Sequence, residues 1–323
     1  MRVAVIGAGA SGSTLACMLC EGGMDVVIYE IREDRVRDLH REGLRVRGAI
    51  DARVLPEVKA MGEPAEPFDA MVLAVPVPQT GEALRPLSPF VHRETLYLSL
   101  QEGGGMSELA QIVGVDRAGG GLCWISAMET TEGEVDVEGF HEIVIGACAG
   151  GTDDRIVAMV KAVNDVVPGG ARYTDDLERE VWRRLRSAAA VSALCGLLGE
   201  SPQGIRTIDE VDGLCREAVD ECRRTASSVG MDIELDGSPW DEAVWERLKP
   251  PMLRDVESSR KTELESLGGL ICKQAASTSV RVPVQSAMYS LMKEVESGRR
   301  KPGEAIFREL RRRIEEERGM TLL

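Results

Sequence analysis

The first twelve residues, MRVAVIGAGASG (residues 1–12), decide the fold of the amino-terminal half. The apolar run RVAVI is typical of a buried strand, and it leads directly into a glycine-rich turn, GAGASG. In such a turn Gly7 permits a sharp change of direction, Gly9 lets a ligand approach the backbone, and Gly12 lets the following helix pack closely on the strand. The sequence therefore predicts a loop that binds a phosphate at the N-terminus of a helix.

The same alternation of strand and helix continues beyond this loop. SGSTLACMLCEGG and EDRVRDLHREG have helical patterns, DVVIYE, DAMVLAVPV and TLYLSLQ are typical of strands, and LRVRGAIDARVLPEV contains a hairpin signal. After Asp175 strand signals largely vanish and helical patterns run almost to the end. We expect an α/β domain, residues 1–173, with a doubly wound parallel sheet of Rossmann type, followed by an all-helical domain, residues 174–323.

Composition excludes several classes of protein. The chain has 323 residues and a net charge of −15, which argues against a nucleic-acid partner because phosphate binding needs a basic patch. No apolar run approaches the about 18 residues of a membrane span, so we expect a cytoplasmic protein.

Cys17 and Cys20 form a CxxC inside a predicted helix, and no second pair accompanies them. They are expected to be core thiols rather than metal ligands.

The end of the second predicted strand, IYEIRED, bears on which dinucleotide the loop would bind. Glu30 stands where a carboxylate accepts hydrogen bonds from the adenosine ribose hydroxyls and repels a 2′-phosphate. Arg32, two residues later, could instead hold that phosphate. NAD is favoured, and NADP stays open.

The helix pattern VWRRLRSAAAVSALCG (residues 181–196) contains three arginines and no lysine. One helix face, expected from spacings of 4, 7, 8 and 11 residues after Arg184, carries Arg184, Ala188, Val191, Ser192 and Cys195. Arg183 and Arg186 lie off this face and are expected to be solvated. Arg184 is either a surface arginine lying over apolar neighbours or a residue of a binding site.

These motifs, in this order, resemble the ketopantoate reductases, NADPH-dependent enzymes that reduce a branched 2-oxo acid to its 2-hydroxy acid. MRVAVIGAGASGS is similar to the family's cofactor loop, LSLQEGGG to its LxLxNGxG, and VWRRLRSA to its WxKLxxN. MLRDVESSRKTELESLGG and VRVP are similar to SSMLQDxxxxRxTEIxxxNG and VxxP. The positions retained in these last two motifs are Asp255, Arg260, Thr262, Glu263, Gly269 and Pro283.

Departures from the family pattern fall where the family performs its chemistry. Its general-acid lysine corresponds to Arg184, and the asparagine four residues later corresponds to Ala188. A second lysine is replaced by Pro76, the NGxG asparagine by Glu102, and a serine before MLxD by Pro251. The resemblance therefore implies a divergent member that lacks the catalytic lysine.

The resemblance also implies an active site in a cleft between the two domains, and a homodimer formed through the helical domain. The catalytic residues it implies are Arg184, Glu263 and Glu102. The cofactor-binding residues are Gly7, Gly9, Ala10, Ser11, Gly12, Glu30, Arg32, Val75, Pro76, Gln79, Glu102 and Ala127. The substrate-binding residues are Arg184, Ala188, Ser192, Pro251 and Glu263.

Arginine cannot replace lysine as a general acid, because the guanidinium pKa lies above about 12. It can bind a carboxylate through two parallel hydrogen bonds or stabilise an oxyanion. Glu102 is either a carboxylic acid with a raised pKa or a ligand of the cofactor ribose. Glu263 either holds the substrate hydroxyl or pairs with Arg260. Three lysines could supply a proton, but little in their positions supports this role: Lys249, Lys261 and Lys273. A helix would point Lys261 away from Glu263.

Three functions remain open from the sequence. The first is an oxidoreductase for a small 2-oxo or 2-hydroxy acid, with Arg184 anchoring the carboxylate. The second acts on a C–N bond, where an iminium ion needs no general acid and Glu102 with Glu263 would stabilise the cation. The third is a protein that binds NAD(H) without catalysis.

Overall fold

The computed structural model describes residues 1–64, 66–101, 105–130, 134–233, 240 and 249–319. The chain divides into two compact units, Met1–Glu180 and Val181–Leu323. The functional boundary after residue 173 stays a prediction.

Strands of the first unit form one mixed sheet. Its ten strands within the described residues are β1 (Arg2–Ile6), β2 (Asp25–Glu30), β3 (Leu44–Gly48), β4 (Ala52–Val54), β5 (Glu57–Ala60), β6 (Phe68–Leu73), β7 (Val91–Ser99), β8 (Ala118–Glu129), β9 (Val135–Ala147) and β10 (Ala171–Thr174). The strand order is β4-β3-β9-β8-β7-β6-β1-β2-β5, with β10 beside β9. Strands β8, β7, β6, β1, β2 and β5 run parallel.

Two antiparallel pairs make the sheet mixed rather than purely parallel. Strands β3 and β4 form the hairpin predicted from the sequence, and β8 pairs antiparallel with β9. The central strand β1 is covered on both faces: Val3 and Val5 belong to one core cluster, Ala4 and Ile6 to the other. Burial on both sides explains why RVAVI is a continuous apolar run without alternation.

Within the described residues five helices accompany the sheet, and the first two along the chain lie where the sequence predicted them. The five are α1 (Ala10–Glu21), α2 (Glu33–Glu42), α3 (Thr80–Leu84), α4 (Gly105–Val113) and α5 (Asp154–Val166), with short 3-10 turns at Val77–Gln79, Arg85–Phe90 and Val115–Arg117. Helices α1 and α5 pack closely, since a Cβ added at Gly22 would lie 2.4 Å from the carbonyl oxygen of Ala162.

Described residues of the second unit form helices. After α6 (Leu177–Ser187), which begins in the first unit, come a π-helical turn (Ala188–Ser192), α7 (Ala193–Leu198), α8 (Pro202–Ile205), α9 (Val211–Ser228), α10 (Pro251–Glu257), α11 (Gly268–Thr278), α12 (Pro283–Glu296) and α13 (Glu304–Gly319). The predicted fold class, a Rossmann-type sheet followed by a helical region, is confirmed. In the part of the chain that is described, no helix has the length and hydropathy required to span a bilayer.

A buried carboxylate joins two helices of the second unit. Glu221, 3% exposed, accepts hydrogen bonds from the backbone N–H groups of Val284 (2.9 Å) and Gln285 (2.8 Å) at the start of α12. The Gln285 amide in turn donates to the Ala218 carbonyl at 3.1 Å. Burial raises the pKa of Glu221 to about 7, although the two N–H donors oppose the shift. This carboxylate is structural and did not stand out in the sequence.

All eight cysteines lie within the described residues as free thiols. Burial raises the pKa of Cys17 to about 12 and that of Cys20 to about 11, which keeps both protonated at neutral pH. The CxxC is thus a pair of unreactive thiols in the helix that follows the glycine loop.

Candidate active site

The glycine loop has the geometry of a phosphate cradle. Gly7 has φ +102°, and a Cβ added at Gly12 would lie 2.2 Å from the Gly7 carbonyl oxygen. A Cβ at Gly9 would meet nothing within 4 Å. The N–H groups of Ala10, Ser11 and Gly12, in the first turn of α1, have no acceptor within the helix. The loop is therefore closed toward the protein, open over Gly9, and lined with donors for an anion.

Glu30 ends β2 and is tied to the same loop. Its Oε2 accepts from the Ala8 N–H at 3.0 Å, and its Oε1 accepts from the N–H groups of Ile31 (2.8 Å) and Arg32 (3.0 Å). Burial opposes ionisation, but the bonds from Arg32 and from the backbone outweigh it, so the pKa of Glu30 is lowered. Glu30 is thus a buried carboxylate, 4% exposed, that is charged at neutral pH.

Arg32 lies between two carboxylates. Its Nη2 donates to Glu30 Oε2 at 3.1 Å, and its Nη1 lies 3.1 Å from both carboxylate oxygens of Glu129. Glu129 also pairs with Arg35, whose Nε lies 3.4 Å from Oε1. Desolvation lowers the pKa of Arg35, which is 4% exposed. Neither Glu129 nor Arg35 was predicted from the sequence, since Glu129 lies 97 positions from Arg32 along the chain and meets both arginines only in the folded structure.

A cavity of about 370 Å³ opens beside the loop. Four residues predicted to bind the cofactor line it: Gly7, Glu30, Val75 and Gln79. Its apolar lining includes Tyr29 and Met61, which suits a flat aromatic base. Arg32, Pro76 and Ala127 are not among the lining residues, so the structure brings together only part of the predicted set.

Gln101, in the predicted cofactor motif LSLQEGGG, joins three segments at the carboxyl edge of the sheet. Its side-chain amide donates to the Val75 carbonyl (2.7 Å) and the Thr80 hydroxyl (2.9 Å), and its Oε1 accepts from the Ser99 hydroxyl (2.9 Å). Gln101 is 7% exposed. It therefore positions the ends of β6 and β7, a role that the sequence analysis did not assign. Glu102, the adjacent candidate, lies outside the described residues.

The helix that carries Arg184 changes its pitch at the predicted site. Ala188–Ser192 form a π-helical turn, so the face expected from a regular helix does not continue unchanged beyond Arg184. Ser192 is 2% exposed, and its hydroxyl has no hydrogen-bond partner among the described residues. Arg184 and Arg186 are half-buried and Arg183 is exposed. Arg186 was expected to be solvated, but it is so only in part, since the side chain is half-buried and its Nε is buried.

Glu263 lies in the turns between α10 and α11 rather than on a helix. The expectation that a helix points Lys261 away from Glu263 was therefore wrong, because neither residue is helical; Lys261 is exposed. Glu263 itself is half-buried, and its backbone carbonyl accepts from the N–H groups of Ser266 and Leu267.

Neighbouring motif residues hold this turn in place. The Thr262 N–H and hydroxyl donate to Glu296 Oε1 at 2.8 and 2.5 Å, and Arg260 pairs with Asp255 at 2.8 Å. These contacts give Asp255, Arg260 and Thr262 a structural role at this turn.

The remaining candidates are near the ends of the helices or on the surface. Pro251 is the first residue of α10. Lys249 is exposed and pairs with Glu257, and Lys273 is exposed on α11.

Comparison with known proteins identifies the family. Residues 3–150 match the model for ketopantoate reductase PanE/ApbA, and residues 176–296 match the model for its C-terminal part. The chain is 27% identical over 304 residues to a 2-dehydropantoate 2-reductase of Pyrococcus abyssi, covering 92% of this chain and 98% of the relative. It is 25% identical over 317 residues to the uncharacterized oxidoreductase YkpB of Bacillus subtilis, covering 92% and 99%.

A similar fold occurs in D-mandelate dehydrogenase, solved in a ternary structure with NADH and anilino(oxo)acetate. The TM-score is 0.81 at 18% identity, covering 92% of this chain and 99% of that one. With both its α/β and its helical parts matched, the chain belongs to the ketopantoate reductase PanE/ApbA family and is an NAD(P)-dependent oxidoreductase of it.

Proposed function

We propose that this protein transfers hydride between NAD(H) and a small 2-oxo or 2-hydroxy acid, in addition to or instead of ketopantoate. The observation that carries the choice of NAD is the buried, charged Glu30 at the end of β2, hydrogen-bonded to the glycine loop. A carboxylate there accepts from ribose hydroxyls and repels a 2′-phosphate.

The two halves of the chain have separate roles in this proposal. Residues 1–173 bind the cofactor: the amides of Ala10, Ser11 and Gly12 receive its pyrophosphate, and the cavity beside Glu30 receives its adenosine. The nicotinamide supplies or accepts the hydride. Residues 174–323 supply the groups that bind the substrate, and we expect this part to form a homodimer interface.

Arg184 takes the place of the family's lysine, and this changes its chemistry. A guanidinium stays charged at every working pH, so Arg184 binds the substrate carboxylate through two parallel hydrogen bonds. The buried hydroxyl of Ser192, the last residue of the π-helical turn that follows, supplies a further hydrogen bond to the substrate. Ala188 and Pro251 leave room where the family has side chains with hydrogen-bonding groups.

Glu263 completes the proposed site. Reduction places hydride on the carbonyl carbon, and the resulting alkoxide must then take a proton. Since Arg184 is a poor donor, the proton comes from Glu263 in its acid form or from a water molecule that Glu263 orients. The retained turn around Thr262 supports this assignment, because it holds the glutamate backbone through the Glu296 contacts.

The relatives suggest which substrates to test first. One relative is a 2-dehydropantoate reductase, and one structural neighbour is a D-mandelate dehydrogenase. NADH oxidation should therefore be followed with 2-dehydropantoate and with phenylglyoxylate, the oxo acid corresponding to mandelate, and with each acid plus ammonia or an amine. Turnover of a 2-oxo acid without amine supports the proposal. Turnover only with amine indicates C–N chemistry, and binding of NADH without turnover of a broad panel indicates a sensor.

A further inference from the structure

The hydrogen bonds to Glu30 leave it no open acceptor site for a ribose. A carboxylate has about four lone-pair positions, and all four are used here. Backbone N–H groups of Ala8, Ile31 and Arg32 take three of them, and the Arg32 guanidinium takes the fourth. The three backbone donors are fixed by the loop and the strand end. Only the Arg32 side chain can give way to a ribose hydroxyl.

Arg32 already has a second acceptor to which it can move. Its Nη1 lies 3.1 Å from both oxygens of Glu129, the last residue of β8. The Arg32 side chain is 45% exposed, whereas that of Glu30 is 5% exposed, so the guanidinium has room to move and the carboxylate does not. Glu129 is itself held by the buried Arg35.

We propose that Glu129 determines cofactor specificity: when NAD binds, Glu129 retains the Arg32 guanidinium as it leaves Glu30 and keeps it from the 2′ position of the ribose. When NAD binds, its 2′-hydroxyl replaces Arg32 Nη2 on Glu30, and the guanidinium stays paired with Glu129. A guanidinium held by a carboxylate is a weak ligand for phosphate. The inference rests on the proposed binding of NAD at Glu30.

The charge balance supports the same conclusion. Glu30 and Glu129 balance Arg32 and Arg35, so the cluster has no net charge with which to attract a 2′-phosphate. Neutralising Glu129 leaves one excess positive charge and releases Arg32 as a phosphate ligand. One side chain on β8 would thus exclude NADP, although Arg32 lies where a 2′-phosphate could be bound.

The test compares dissociation constants of NADH and NADPH for the full chain, measured by fluorescence titration without substrate. In Glu129→Gln the ratio of the NADPH constant to the NADH constant should fall by about tenfold or more, corresponding to about 1.4 kcal/mol. Glu142→Gln is the matched control, since Glu142 also pairs with an arginine, Arg172, and is 24% exposed against 26% for Glu129. It should leave the ratio unchanged.

A second variant separates the proposal from a loss of folding. Arg32→Ala should keep or strengthen NADH binding, and adding it to Glu129→Gln should abolish the gain in NADPH affinity. An unchanged ratio in folded Glu129→Gln, or NADH binding that weakens more than NADPH binding in Arg32→Ala, overturns the role of Glu129. If wild type binds neither cofactor, the proposed function itself is wrong.

Discussion

The buried carboxylate of Glu221 makes the stability of the protein depend on pH in a specific direction. Burial raises the pKa of Glu221 from its ordinary value of 4.5 to about 7 in the folded chain. Because the folded state holds the proton more tightly, the stabilisation is fully present below the ordinary pKa and is lost as the pH rises through 7. The rise from 4.5 to about 7, at about 1.4 kcal/mol for each tenfold change in proton affinity, corresponds to about 3 kcal/mol in total.

Replacing Glu221 by Gln tests this directly, since the amide keeps the shape of the protonated acid and cannot ionise. Between pH 5 and pH 8 the unfolding free energy of wild type should fall relative to Glu221→Gln by about 2–3 kcal/mol. Urea unfolding followed by circular dichroism at several pH values measures the difference, and titrations common to both proteins cancel.

A difference that is constant with pH would refute the reasoning. A wild type that gains stability relative to the variant as the pH rises would show that the N–H groups of Val284 and Gln285 outweigh desolvation and lower the pKa instead. Glu217→Gln is a suitable control, because Glu217 lies on the same helix, α9, and pairs with Arg318 at the surface.

Three further predictions concern the candidate active site. Gly12→Ala should weaken both folding and NADH binding, since its Cβ would lie 2.2 Å from the Gly7 carbonyl oxygen. Gly9→Ala is the control for folding, because Gly9 has φ −72° and open space around the added Cβ. This variant should unfold at the wild-type temperature yet bind NADH more weakly in a fluorescence titration. Gln101→Leu should lose hydrogen bonds worth about 1 kcal/mol each and raise KM for NADH more than it lowers kcat; an unchanged KM would argue against its positioning role. Arg184→Ala should raise KM for the 2-oxo acid, because it removes hydrogen bonds worth about 1.5–3 kcal/mol of substrate binding, while NADH affinity is retained. Arg184→Lys should restore part of the substrate binding. Equal loss of NADH binding in Arg184→Ala would contradict the assignment.

The cofactor half was predictable because its signals are local. RVAVI, the glycine turn and the carboxylate at the end of β2 are close in sequence, and each constrains the backbone by itself. The mixed character of the sheet was only partly predictable from the sequence. The hairpin β3–β4 has a local turn signal, whereas the direction of β9 depends on its pairing with β8 and β3.

The helical half was less predictable at the level of side chains. The sequence predicted a regular helix for residues 181–196, but Ala188–Ser192 form a π-helical turn. No local sequence pattern indicates this turn. Glu263 was likewise expected on a helix, but it lies in a turn. Pitch and turn geometry there follow from packing around residues far apart in sequence, such as Thr262 and Glu296.

The sequence by itself determined the fold class, the dinucleotide loop and the family motifs, because strand, turn and helix signals act over a few residues. Only the tertiary structure decided which charged and polar groups meet: Arg32 with Glu129 across 97 positions, Glu221 with the start of α12, and Gln101 with Val75 and Thr80. Charged and polar side chains gain their energy from partners a few ångströms away, and chain folding rather than sequence spacing sets those distances.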